Sequence, residues 1–241
     1  MTSKKILILG GSGAIGSALA QNLKERNYEP ILLAKNKEDL ISLANKLNCE
    51  YYVCDILETD KLTQIIEGLK DNIFGLAYCV GSIDLKPLHL TKEEDFIKCY
   101  KINTLGAINA IKAAQNSLVK NFGSILLFST IAVQQGFINH TIISSAKGAI
   151  EALTLSLAAE LAPNVRVNCI APSLTDSKMS QNLVKNENIK KAIGGMHPIP
   201  KIGEGKDFSE IGGYLLSESN KWITGQILHI DGGRSTLRVK G

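Results

Sequence analysis

The chain has 241 residues, a formal net charge of +4, 44% hydrophobic and only 5% aromatic residues. That length is compatible with one domain or two, but no Pro/Ser-rich run, charge block or repeat divides it, so a single domain over residues 1–241 with an aliphatic core is expected. The lysines are scattered rather than gathered into a basic stripe, so nucleic acid is not an expected partner. No run of about 18 apolar residues stands out, so a membrane is not expected either.

In chain order, strand and helix patterns alternate. Ile6–Leu9 is a short apolar run ending in glycines, the pattern of a strand buried on both faces. A helix follows over 14–26, with Ile15, Leu19 and Leu23 at four-residue intervals. Ile31–Leu33 is a second strand, 37–47 a helix, Tyr51–Cys54 a third strand and 61–69 a helix. Strands follow at 73–80 and 125–128, a long helix at 145–161 ends before Pro163, and strands at 165–170 and 226–230 complete the series. The implied fold is α/β, a doubly wound Rossmann-type sheet of seven parallel strands with helices on both faces. Right-handed crossovers place the carboxyl ends of all strands along one edge, where ligands bind.

Five cysteines form no CxxC pair and no metal spacing, and the four histidines are separated in sequence. No metal is expected. Met1–Lys5 leads directly into a strand without a cleavage-site pattern, so reduced, buried thiols in a cytoplasmic protein are expected.

Between the first strand and first helix lies Gly10-Gly11-Ser12-Gly13-Ala14-Ile15-Gly16. Glycines allow the tight turn and leave room for a phosphate, which the helix start meets with free N–H groups and its positive dipole end. In this position the turn reads as the pyrophosphate site of a dinucleotide. The second strand ends in Ala34-Lys35-Asn36, with no acid to take the ribose hydroxyls; Lys35 favours a 2′-phosphate, hence NADP(H) over NAD(H). Asp55 either accepts from the adenine amino group or caps the following helix.

These residues resemble the short-chain dehydrogenase/reductase family along nearly the whole chain. Gly10, Gly13 and Gly16 are similar to its glycine turn, with Ala14 where glycine is most common, and 53–56 resembles its adenine-binding segment. Asn103, within 102–106, resembles the family's catalytic Asn, Thr130 stands at its serine position, and 145–149 resembles the segment around its catalytic lysine, Lys147. The stretches 166–172 and 223–233 are close to further family signatures. The resemblance implies an NAD(P)-dependent oxidoreductase that takes a small-molecule substrate and forms a homodimer or homotetramer. It implies cofactor contacts from Gly10, Ser12, Gly13, Ile15, Gly16, Lys35, Asp55, Ile56, Val80, Gly81, Lys147, Pro172, Thr175 and Ser177. Residues from about 174 to 200 correspond to a mobile substrate loop, and Ser173 replaces a family glycine.

Two departures matter. The family's Asn-Asn-Ala-Gly is here Tyr78-Cys79-Val80-Gly81, and the tyrosine expected four residues before Lys147 is Ile143, which can neither give nor take a proton. His140, seven residues before Lys147, resembles in spacing the tyrosine of the family's enoyl-thioester reductase branch. It is a candidate donor, with Tyr78 and Tyr100 as weaker ones. The expected activity is therefore reduction with atypical acid–base groups, with a conjugated carbonyl or enoyl thioester as substrate. The alternatives are a dinucleotide-binding sensor or scaffold without turnover, and another reaction on the same fold.

Overall fold

The aliphatic runs form the centre of the molecule. In the computed structural model, which describes residues 3–184 and 186–239, seven strands make one sheet. They are β1 (Lys5–Leu9), β2 (Glu29–Ala34), β3 (Tyr51–Val53), β4 (Ile73–Tyr78), β5 (Ser124–Phe128), β6 (Arg166–Pro172) and β7 (Ile227–Ile230). Their order is β3-β2-β1-β4-β5-β6-β7 and every pairing is parallel. Side chains of β1, β4 and β5 are buried on both faces, which is why these segments lack polar alternation.

Among the described residues eight α-helices surround the sheet: α1 (Ala14–Glu25), α2 (Lys37–Leu47), α3 (Thr59–Gly68), α4 (Glu93–Tyr100), α5 (Gly106–Lys120), α6 (Thr141–Leu161), α7 (Glu187–Gly194) and α8 (Gly205–Leu216). Two apolar layers result. One holds Leu7, Leu76, Ile125 and Val167 against α3, α5 and α6, the other holds Ile8, Leu126 and Ile170 against α1 and α8. The chain reverses its direction of winding between β1 and β4, which opens a crevice at their carboxyl ends.

Three expectations are corrected. Helix α6 begins at Thr141 rather than Ser145, because His140 occupies the N-cap position. The segment treated as a loop over 174–200 contains α7, whose first turn Asn186 caps by accepting from Ile189 N at 2.9 Å. Helix α6 is also long and apolar enough by length and composition to cross a membrane. It packs on β5 and β6, and its polar Lys147 and Glu151 point inward, so it serves as a core helix.

Candidate active site

The glycine turn starts at the end of β1. Gly10 has φ +78°, and a Cβ there would lie 2.8 Å from the Cys79 carbonyl carbon, while one at Gly16 would lie 2.3 Å from Gly10 O. Both positions require glycine on steric grounds, before any ligand is considered. Gly10 N and Gly11 N donate to Leu33 O, and Gly13 N donates to Gly10 O, which fixes the turn. No side chain caps the start of α1 and no acid stands in its first turn, so the N–H groups of Ser12 and of the first-turn residues Ala14 and Ile15 stay open at the crevice end. That arrangement fits a phosphate.

Lys35 follows β2, is exposed and enters no ion pair among the described residues. Asp55 does not cap α3. Its Oδ1 accepts from Leu57 N at 3.0 Å in a local turn and Glu58 is the N-cap residue, so the capping alternative is set aside. Ile56 is buried beneath the α4–α5 junction and Val80 packs on the core.

The other end of the candidate site is built around Lys147. Burial holds its ammonium down at about 8. Its Nζ donates to Phe128 O at 2.7 Å, its one hydrogen bond among the described residues, so two of its three donors stay available. The buried Glu151, one turn on, does not neutralise it. That carboxylate accepts from Ser129 Oγ at 2.8 Å and from Gln134 Nε2 at 3.3 Å. A buried lysine without a carboxylate partner marks a site that expects another ligand.

Asn103 is fully buried in a π-helical turn (Lys101–Leu105) between α4 and α5. Such turns often occur at functional positions. Here the Tyr78 hydroxyl donates to Ile102 O at 2.6 Å, satisfying a carbonyl in the turn, and burial raises the Tyr78 pKa. Tyr78 is therefore a brace rather than an acid. The Asn103 amide donates to Ser82 Oγ and Cys99 O, each at 3.0 Å, and accepts from Ser82 N at 3.3 Å. A Cβ placed on Gly81 would lie 3.1 Å from Asn103 Oδ1, 3.7 Å from Met179 Cε and 3.8 Å from Lys147 Nζ, so these four positions share one small volume.

Thr130 follows β5 and its Oγ1 accepts from Ala132 N at 3.3 Å, which leaves its hydroxyl hydrogen free to donate. Ile143 is 5% exposed and lies in an apolar cluster with Cys99, Ile142 and Ala146, flanked by Leu85 and Phe96. His140 sits at the start of α6. Its Nδ1–H donates to Ile138 O at 2.7 Å, and its ring leans on Phe137 with centroids 5.3 Å apart. Seven residues separate it from Lys147, about 10 Å along the same helix face.

Pro172 ends β6, and the segment after it is locked by Ser180 Oγ, which donates to Thr175 O at 2.6 Å and lies 3.2 Å from Ser177 Oγ. Residues 24 apart in sequence meet here: Ser173 Oγ donates to His197 Nε2 at 2.8 Å, while His197 Nδ1–H donates to Ile193 O at 3.0 Å. This pair borders a cavity of about 190 Å³ and ties the segment after β6 to the end of α7. Lys178 reaches back across the crevice to Asp39 on α2, at 2.5 Å. The Ser173–His197 pair, the Tyr78 brace and the Glu151–Ser129 bond carry no sequence signal of their own, since each depends on contacts made only in the fold. The thiols are all free; Cys54, Cys99 and Cys169 are buried, whereas Cys49 and Cys79 are only partly so. No cluster suited to a metal occurs among the described residues.

Against known proteins, a family model described as enoyl-(acyl carrier protein) reductase matches residues 11–235. The 3-oxoacyl-[acyl-carrier-protein] reductase FabG of Rickettsia prowazekii is 30% identical, with 97% of each chain covered. Carbonyl reductase family member 4 of Danio rerio is 28% identical over 98% of this chain and 99% of its own. Among solved structures, ElxO with NADP bound superposes with a TM-score of 0.90 at 26% identity, covering 98% of this chain and all (100%) of that one.

Proposed function

The chain belongs to the short-chain dehydrogenase/reductase family and is an NAD(P)-dependent oxidoreductase, and from that premise we propose that it reduces a carbon–carbon double bond conjugated to a carbonyl or thioester, preferring NADPH to NADH. One observation carries this reading. Ile143 occupies the position of the family's phenolic acid and is packed into an apolar cluster, while Lys147 keeps two spare donors nearby. Reduction of a simple ketone needs a proton delivered to an alkoxide as it forms. A conjugated acceptor instead gives an enolate, which needs hydrogen-bond donors at its oxygen and gains its proton later. The family model is described by enoyl reduction, whereas the relatives are named for carbonyl and 3-oxoacyl reduction, so the proposal rests on Ile143 and Lys147 and not on those names.

The residues fit a nicotinamide dinucleotide. The turn of Gly10, Ser12, Gly13, Ile15 and Gly16 would hold the pyrophosphate, Lys35 the 2′-phosphate, Asp55, Ile56 and Val80 the adenosine side of the crevice, and Gly81 would leave room for the cofactor beside Lys147. Pro172, Thr175 and Ser177 flank the nicotinamide. When bound, that group supplies the hydride. Lys147 donates to the ribose hydroxyls and places positive potential where the substrate oxygen gains charge. Thr130 donates to that oxygen, Asn103 holds the helix bend that sets the floor, and His140 delivers a proton from the cleft mouth. Helix α6 also leaves Leu155 52% exposed on an apolar outer face, and we assign that face to a second copy of the chain; light scattering that returns a monomer removes this assignment.

The test compares initial rates on crotonyl-coenzyme A and on a simple ketone, with NADPH and NADH, for the parent and His140→Ala. Faster turnover of the thioester with NADPH is expected, and His140→Ala should lose about 10²-fold. Equal efficiency on the ketone overturns the substrate reading, tighter binding of NADH overturns the role of Lys35, and binding without any turnover leaves a sensor or scaffold.

A further inference from the structure

Arg234 lies just past β7, in the turn that follows Asp231. Its guanidinium sits over the Phe137 ring, 5.0 Å from the centroid, and its Nη2 donates to Met196 Sδ at 3.5 Å. It forms no ion pair among the described residues. The nearest acid in sequence is committed elsewhere: Asp231 accepts from Gly233 N and Ser235 N, each at 2.8 Å. Arg234 thus joins three segments, the loop before α6, the stretch after α7 and the C-terminal turn.

The surroundings are apolar and open. Ile138 is 88% exposed, Met196 59% and Ile199 60%. Phe137 also carries the His140 ring, and His140 opens the helix face that leads to Lys147. One unpaired cation in an apolar rim suits an amphiphile with an anionic end. With Nη2 on Met196 Sδ, the guanidinium keeps further N–H donors, and a planar fork of such donors can take carboxylate or phosphate oxygens in pairs.

We propose that Arg234 anchors an anionic group, carboxylate or phosphate, at the end of the substrate remote from its reacting carbon, with Phe137, Ile138 and Met196 taking the apolar part between. This rests on the reductase reading for the identity of the ligand as substrate, but the anchor itself is measurable without turnover. Recognition is then bipartite: the reacting carbonyl is held near Lys147, and the distal charge is held at the rim.

Calorimetric titration of the full chain with octanoate, octyl phosphate and octanol tests it, for the parent, Arg234→Gln and Arg234→Lys. The parent should bind at least one of the two anions about tenfold more tightly than octanol, and the tighter anion identifies the group. Arg234→Gln should bring that anion to the octanol level and leave octanol unchanged, while Arg234→Lys should retain part of the preference. Raising salt should weaken the anion and not the alcohol. If the parent binds all three alike, or Arg234→Gln binds the anion as tightly as the parent, the anchor is wrong. If the anchor holds while no thioester or ketone is turned over, the reductase reading fails alone. If crotonyl-coenzyme A is reduced but Arg234→Gln has the parent's KM for it, the anchor fails alone.

Discussion

Replacing Lys147 by methionine is expected to stabilise the unliganded chain by about 2 kcal/mol, a rise of roughly 4–8 °C in Tm, while weakening NADPH binding at least tenfold. The ammonium is buried, its pKa falls from 10.5 to about 8, and it has one carbonyl for company. A shift of that size corresponds to about 3 kcal/mol spent on holding the charge inside the folded protein. Methionine has nearly the same length and no charge, and the loss of the bond to Phe128 O returns about 1 kcal/mol of that gain. Between pH 8 and 10.5 the unfolded chain binds the proton that the folded chain has released, so the parent becomes more stable as pH rises through this window. Below pH 8 both states are protonated and the penalty is complete. The advantage of Lys147→Met should therefore be largest below pH 8 and vanish near 10.5. A variant no more stable than the parent at pH 7 contradicts the burial argument, and unchanged NADPH affinity contradicts the ribose assignment. Stability sacrificed at a binding site is a common trade.

The second large effect is a gain. Ile143→Tyr should raise reduction of a simple ketone about 10²-fold or more, by placing a phenol one helical turn before Lys147. The side chain enters an apolar cluster beside Cys99 and Phe96, and overpacking there costs roughly 1–3 kcal/mol. Ile143→Phe has the same bulk and lacks the hydroxyl, so it should share the stability loss and gain no ketone activity. If both variants gain equally, cavity shape rather than proton transfer governs the ketone; if neither gains while both remain folded, the reacting oxygen does not lie over this position.

Much of this arrangement could be read before any coordinates. Strands β1, β4 and β5 are buried on both faces, so they had to be unbroken aliphatic runs, and their parallel order brings Gly10, Lys35, Asp55, Gly81, Thr130 and Pro172 to one edge. Helices α4, α5, α7 and α8 were not read: α4 and α7 are short, α8 carries Gly212 and Gly213 within its apolar face, and the buried face of α5 is made largely of small residues, Gly106, Ala107, Ala110 and Ala114, which give little periodic signal. Glu204 and Asp207 box the start of α8, a signal in hindsight, but without the usual Ser or Thr at its head. Within the site, residue types were legible and their commitments were not. Asn103 was legible as the counterpart of the family's catalytic Asn, but not that its amide is taken up by Ser82 and Cys99, partners that only the fold brings close. Ser173 is an unremarkable substitution until His197 is placed 2.8 Å away.

The central claim is that this site delivers hydride to a conjugated carbon without a phenolic acid. It is tested most directly by following the label from NADPH deuterated at the transferred position, with crotonyl-coenzyme A as acceptor and mass spectrometry of the product. One deuterium on the β carbon of a saturated thioester is the result expected here. Deuterium on a carbinol carbon when the acceptor is instead a 3-oxoacyl thioester, with the enoyl thioester left unlabelled, would contradict it.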